Sequence, residues 1–248
     1  MIILKSKSEI EKMAVACRIV AEVLQELVRV VRPGLATLEL DALAERGIRA
    51  RGGIPAFKGY RGFPNTLCVS INEQVVHGIP SKRRLRAGDI VGLDLGAKWE
   101  GYYGDAAVTV PISQVPPDAE CLIATAREAL AVGIKEISPR KHLSDISHAI
   151  QGYAEARGYS VVRAFVGHGI GTALHEEPQV PNFGPPGRGP RLKVGMILAI
   201  EPMVNVGAPD VEILDDGWTV VTADGQLSAH FEHTVAITEE GPHILTAL

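Results

Sequence analysis

The chain has no CxxC pair, no apolar run of membrane-spanning length and no surplus of positive charge, and each absence removes a class of function. Its three cysteines, Cys17, Cys68 and Cys121, are odd in number and far apart. That excludes a disulfide framework and a thiolate zinc site and fits reduced thiols in a cytoplasmic protein. Only Ile2, Ile3 and Leu4 precede Lys5 as an apolar run, against the ~7–15 residues of a signal-peptide core. No targeting segment or membrane anchor is therefore expected. Basic residues number 25 against 29 acidic ones, a formal net charge of -4, so the electrostatic footprint of a nucleic-acid or anionic-membrane partner is missing. The basic cluster Lys82, Arg83, Arg84 and Arg86 reads as a solvated loop without a role.

With 248 residues, 46% of them apolar, the chain can bury a large core, and a single domain over residues 1–248 is expected. Ser8 followed by Glu11 reads as a capping box. Ile10, Met13, Cys17, Val20, Leu24, Val28 and Val31 then recur at helical spacing until Pro33-Gly34 stops the run. Thr37 can cap a second helix to about Arg51, ended by Gly52 and Gly53. The same order returns from Asp118: a helical run to about Ile137, a stop at Pro139, and a helix from about Ser144 to Arg157 closed by Gly158. Segment Arg86–Asp94 resembles Lys193–Glu201 at a constant offset of 107, with an acid closing each. Two copies of a helix–helix–strand unit sharing one antiparallel sheet give an α+β architecture with the helices on one side. Pro181 to Pro190, crowded with glycine and proline, reads as an exposed loop.

Five metal-capable side chains lie where apolar ones should pack: Asp94, Asp105, His168, Glu201 and Glu232. Ile90–Leu95 and Tyr102–Val110 read as strands around a turn-like Ala97–Gly101. A hairpin centred between Trp99 and Glu100 sets Asp94 opposite Asp105, with Cβ atoms roughly 4.5–5.5 Å apart. On one face, that pair needs a shared proton or a cation; taken alone, a reading with both acids in solvent is equally open. Glu201 closes the almost wholly apolar Met196–Ile200 run, which suits a strand buried on both faces, so its carboxylate must be paired. Glu232, within Ala229–Ile237, is a fourth such acid. His168 stands among Gly167, Gly169 and Gly171, where glycines permit close backbone approach and leave the ring accessible. Four carboxylates and a neutral imidazole carry a charge of about −4, which balances two divalent cations rather than one. Two ions about 3.5–4 Å apart can activate water and polarise a substrate oxygen. An oxygen and nitrogen donor set without thiolate suits Mn, Fe, Co or Zn over Ca.

The motifs Val76–Pro80, Leu93–Leu95, Gly104-Asp105, Gly167–Gly171, Leu174–Pro178, Ile200–Met203 and Phe231–Thr234 stand in the order seen in type I methionine aminopeptidases. The chain resembles that family over nearly its whole length. The resemblance implies a pita-bread fold, whose two pseudo-symmetric halves carry helices on a curved antiparallel sheet. It implies a dinuclear site of Asp94, Asp105, His168, Glu201 and Glu232, filled by two divalent ions (Co, Mn, Fe or Zn). The implied reaction is hydrolysis of the first peptide bond of a nascent protein when the second residue is small. Glu201 would move a proton from water toward the leaving amine, His175 would donate to the developing oxyanion, and His77 would hold substrate near the scissile amide. Without the resemblance, both histidines would read as ordinary loop residues.

By the same resemblance, Tyr60, Phe63, Cys68 and Trp218 line a methionine pocket, with Phe57 and Leu174 nearby. Some relatives have histidine where Arg61 stands and phenylalanine where Leu174 stands, so the pocket rim is where this chain departs. A monovalent cation is implied against backbone carbonyls near Asn72, Gln74 and Ser228. The implied partners are the N-termini of nascent polypeptides and, at the point of synthesis, the ribosome; the implied state is a cytoplasmic monomer of the minimal bacterial form. A proline-cleaving aminopeptidase or prolidase shares fold and ligands but usually carries an additional N-terminal domain. A degenerate module that binds partners without catalysis is the rival of another class. The complete ligand set and both histidines stand against it.

Overall fold

Three of the four helices are closed at their N-terminus by an acid from within the first turn. A computed structural model describes residues 1–247. Helix α1 spans Lys7–Val30; Ser6 is its cap, with the Ser6 hydroxyl accepting from Glu9 N–H and the Glu9 carboxylate accepting from Ser6 N–H at 2.8 Å. The capping box therefore lies two residues before the expected Ser8 and Glu11, because Ser6 is the residue in extended conformation. Helix α2 spans Thr37–Ala50 and corrects a second expectation: Thr37 is its first helical residue, not its cap. The Thr37 hydroxyl instead donates to Ser81 O at 3.0 Å and accepts from Ser81 N–H at 2.8 Å, while Glu39 closes the helix by accepting from Ala36 N–H. Helices α3, Pro117–Lys135, and α4, Leu143–Glu155, repeat the pair in the second half.

The long hairpin of Ile90–Trp99 and Tyr102–Pro111 closes on Glu100-Gly101, with φ of 44° and 89°. Positive φ at both central residues is the tight turn whose twist matches the strands. This moves the hairpin centre from the expected place, so Trp99 pairs with Tyr102, Asp94 with Ala107 and Asp105 with Gly96. The two acids are diagonal neighbours rather than direct partners. A shift of two residues preserves the face, so both still point the same way.

Across the nine-stranded sheet, the central order is Leu67–Ile71, Ile90–Trp99, Tyr102–Pro111, Glu232–Thr238, Ile197–Ile200, Gly167–Gly169. A pseudo-twofold axis passes between the third and fourth of these strands, as two copies of one unit require. At that seam only Glu232 with Ala107 and His233 with Ala106 pair as backbone. Threonine hydroxyls extend the ladder where the strands diverge. Thr234 Oγ1 donates to Asp105 O at 2.7 Å and accepts from Asp105 N–H at 3.1 Å; Thr109 Oγ1 does the same for His230 at 2.8 Å and 2.9 Å.

Each half has its own core on the helical side. Val20, Leu24, Leu27, Leu40 and Ile48 pack on Leu93 and Leu95 in the first, and Leu122, Leu130, Ile146 and Ile150 pack with Leu198 and Ile200 in the second. Helix α1 lies so close to the hairpin that a Cβ on Gly104 would stand 2.6 Å from Cys17 N. The opposite, concave face is left for the site.

Candidate metal centre

The register alone places the acids in a row. Ala107 pairs with Asp94 on one side and with Glu232 on the other, so the three share one face. His233 pairs with Ile200, and continuing that register by one residue brings Glu201 beside Glu232. Asp105, two residues from Ala107, and His168, paired with Ala199, fall on the same face one step along. Glu201 is not within a strand as expected but one residue past the end of Ile197–Ile200. His168 is not in a loop but in the short strand Gly167–Gly169, and its ring keeps only 8% exposure. The flanking glycines are required by contact: a Cβ would stand 2.3 Å from Ala199 O at Gly167 and 2.3 Å from Glu177 O at Gly169.

Ligand atoms of Asp105, His168 and Glu232 lie within 4.8 Å of one another. His168 Nε2 is 3.6 Å from Glu201 Oε1, while its Nδ1–H donates to Gly169 O at 2.9 Å, which leaves the Nε2 lone pair aimed into the cavity. Asp94 Oδ1, Asp105 Oδ1 and Glu232 Oε1 are buried without a hydrogen-bond partner. No lysine or arginine pairs with these acids among the described residues, so burial raises them all. Asp94 is pushed up to about 7. Asp105, Glu201 and Glu232 lie well above the usual carboxylate range, first from burial and then from one another's charge. Burial lowers His168 to about 4, so its ring is a neutral ligand at pH 7. Orphaned buried oxygens, a lone imidazole nitrogen and no thiolate fit hard to borderline divalent cations.

All five candidate ligands, with His77, His175, Tyr60, Phe63, Cys68 and Trp218, line one cavity of about 140 Å³, which Phe57, Arg61 and Leu174 complete. Its apolar end is ordered by an edge-to-face contact of Phe63 and Trp218 at 5.2 Å. His175 stands at the mouth, its ring 4.1 Å from that of His168 and its Nδ1 2.9 Å from the Tyr60 hydroxyl. His77 has φ of 59°, and the turn that presents it needs Gly78, where a Cβ would stand 2.1 Å from Val69 O. Burial lowers both rings; for His175 the neighbouring His168, Arg61 and His77 add to the effect. Away from the cavity, Ser228 N–H donates to Asn72 O at 3.0 Å, and Gln74 follows two residues on.

Two residues beside Glu201 escape the sequence reading. His230 is buried, with Nε2 unpartnered and 3.7 Å from Glu201 Oε2. Its alternate spacing with Glu232 is the signal that could have found it. Asn182 is fully buried and donates from Nδ2 to Glu201 O at 3.1 Å. It lies in the segment expected to be an exposed loop, whose first residues are instead drawn in by this contact.

Residues 11–239 match metallopeptidase family M24. The chain is 54% identical to methionine aminopeptidase 1 of Bacillus subtilis, with 99% of each covered. Among solved structures, methionine aminopeptidase from Thermotoga maritima superposes with a TM-score of 0.99 at 47% identity, with 100% of each chain covered. A prolidase from Pyrococcus furiosus shares the fold at a TM-score of 0.82 and 24% identity, over 99% of this chain and 66% of that one.

Proposed function

The chain belongs to metallopeptidase family M24, and from that membership we infer a methionine aminopeptidase that releases the first residue of nascent polypeptides when the second is small. One observation carries the substrate: orphaned carboxylates and a small apolar end occupy the same cavity of about 140 Å³. Phe63, Cys68, Trp218, Phe57 and Leu174 offer methionine an apolar, adaptable wall. The prolidase reading rests on fold alone, whereas the methionine aminopeptidases match at high identity over the full length of the chain.

Asp94, Asp105, His168, Glu201 and Glu232 would hold two divalent ions of Co, Mn, Fe or Zn, the number that their charge balances. When bound, such ions lower the pKa of water and polarise a carbonyl oxygen. Glu201 accepts the proton of the attacking water and delivers it to the leaving amine. In the tautomer with its proton on Nε2, neutral His175 accepts at Nδ1 from the Tyr60 hydroxyl and presents Nε2–H to the developing oxyanion. His77 holds the substrate beside the scissile amide. Asn72, Gln74 and Ser228 would hold a monovalent cation. The protein acts as a monomer in the cytoplasm, with the ribosome as the source of its substrates.

Metal-reconstituted protein incubated with Met-Ala-Ser and Ala-Pro-Ser tests the reading. Methionine release supports it, and cleavage of only the proline peptide sinks it. Glu201→Gln should abolish turnover with the fold intact by circular dichroism; near-normal kcat would remove the proton-transfer role.

A further inference from the structure

The N-terminal arm brings a charge to the edge of this cavity that no step above uses. Lys5 is buried, its side chain 3% exposed, and it forms an ion pair with Glu176, whose side chain is 8% exposed. Taking two charges out of water is costly unless further hydrogen bonds compensate, and an apolar pair would fasten the arm without that cost. Here the compensation is directed at one loop. Glu176 Oε1 accepts from Thr172 N–H at 2.8 Å, from Ala173 N–H at 3.2 Å and from the Thr172 hydroxyl at 3.4 Å. The Lys5 ammonium donates to Glu176 Oε2 and also to Ile3 O at 3.2 Å. Lys5 N–H donates to Gly195 O at 2.7 Å, anchoring the arm on the turn that leads into Ile197–Ile200. Gly171 lies against the pair: a Cβ there would stand 2.3 Å from Lys5 Cε and 2.6 Å from Glu176 Oε1. Between these fixed points the chain carries Leu174, which lines the cavity, and His175, the neighbour of Glu176.

We propose that Lys5 is a positioning residue for His175: its ammonium, acting through the Glu176 carboxylate, locks the Thr172–Glu176 loop where the His175 ring meets the substrate carbonyl. Apolar side chains in the same place could slide. A carboxylate that accepts from two N–H groups, a hydroxyl and an ammonium has one position, because each bond is directional. The inference rests on the role given to His175 above.

A double-mutant cycle of Lys5→Met and His175→Ala, on Mn²⁺-reconstituted enzyme with Met-Ala-Ser, separates the two layers. His175→Ala alone should lower kcat by about 100-fold; unchanged turnover there removes the role of His175 and the proposal with it. Lys5→Met should lower kcat by about tenfold with KM within about twofold, Lys5→Arg should recover most of that loss, and Lys5→Met should change kcat by less than about twofold once His175 is alanine. Wild-type kcat in Lys5→Met, or equal losses in both backgrounds, overturns the proposal. Where Lys5→Met does not fold, Lys5→Met/Glu176→Gln leaves no unpaired buried charge and is read through the same cycle. Mn²⁺ affinity by calorimetry should stay at the wild-type value. A loss of affinity would mean that the arm supports the Glu201 strand instead, and would also overturn it.

Discussion

Ala107 is the floor of the acid row, and Ala107→Val should damage the metal site while sparing the fold. Strands lie about 4.8 Å apart, so Asp94 and Glu232, flanking Ala107 on either side, have backbones roughly 9.5 Å apart. Their carboxylates close that gap by leaning over the methyl group of Ala107, which is 2% exposed beneath them. Donor oxygens must come within about 2.0–2.2 Å of an ion, with a tolerance of about 0.5 Å. Two added methyl groups on that face exceed the tolerance. In a filled core the same change costs about 1–3 kcal/mol of stability; here the added methyl groups meet the two carboxylate side chains that flank Ala107, so the cost falls largely on ion binding. Displacing supporting groups at metal sites weakens affinity by about 10–100-fold, or roughly 1.4–2.8 kcal/mol. Calorimetric titration with Mn²⁺ and melting with and without the ion would measure both effects. The expected result is a Kd raised by that factor, a metal-free Tm within about 2 °C of wild type, and a smaller gain on adding Mn²⁺. Ala106→Val is the control: its side chain faces α1 in the helical core, so it should lower Tm and leave Kd alone. Wild-type Mn²⁺ affinity in Ala107→Val would refute the derived row.

Metal affinity should climb with pH, because burial raises Asp94 to about 7 and a cation must displace its proton, whereas His168, lowered to about 4, is already neutral. Titrations in buffers of different ionisation heat should register proton release below about pH 7, and an affinity flat from about pH 5.5 to 7.5 would contradict the shifts. The same raised pKa means that Asp94 contributes to metal-free stability fully below about pH 4, and that this contribution is lost as pH rises through about 7. Gly78→Ala, whose Cβ would meet Val69 O at 2.1 Å, should displace His77 and cut kcat/KM by about tenfold or more at unchanged Mn²⁺ affinity. Arg61, exposed at the cavity mouth without an ion pair among the described residues, should favour acidic residues downstream of the cleaved bond. Arg61→Glu should then lower the ratio of kcat/KM for Met-Ala-Glu over Met-Ala-Lys by about fivefold, roughly 1 kcal/mol; an unchanged ratio would exclude the effect.

The sequence carries the elements well because their signals are local. Apolar periodicity marks α1 to α4, the 107-residue offset marks the two halves, and acids on apolar strands mark the ligands. What it carries poorly is anything fixed by partners far along the chain. Asp94 and Asp105 are read as direct partners because the turn residues Glu100 and Gly101 choose between registers by backbone conformation, which hydropathy does not encode. Asn182 is unreadable as a site residue until the Ile197–Ile200 strand is placed and Glu201 with it, and His230 offers only its alternate spacing with Glu232. Lys5 is similarly hidden: an N-terminal lysine is by default solvated, and only its contact with Glu176, 171 residues away, makes it otherwise.

Duplication accounts for the acids but leaves the direction of the site unexplained. Asp94 and Glu201 stand at equivalent positions of the two halves, Asp94 within Ile90–Trp99 and Glu201 one residue past Ile197–Ile200, and Asp105 and Glu232 lie on the two strands at the pseudo-twofold seam, so the centre is nearly symmetric in carboxylates. A symmetric centre would bind ions without preferring either end of a peptide. The difference enters at the strands flanking this core, where Leu67–Ile71 supplies Cys68 opposite Asp94 and Gly167–Gly169 supplies His168 near Glu201. Cys68, packed with Phe57, Phe63 and Leu174, helps make one end an apolar socket. His168, backed by Gly169 O and beside His175, makes the other end a polar one. A methionine side chain is therefore expected to fill the apolar end, with its scissile bond toward the acids. On this reasoning the outer strands, rather than the shared carboxylates, hold the specificity. Exchanging Cys68 for a polar residue of similar size, as in Cys68→Ser, should raise KM for Met-Ala-Ser while leaving Mn²⁺ affinity within about twofold. Equal damage to both would place the distinction elsewhere.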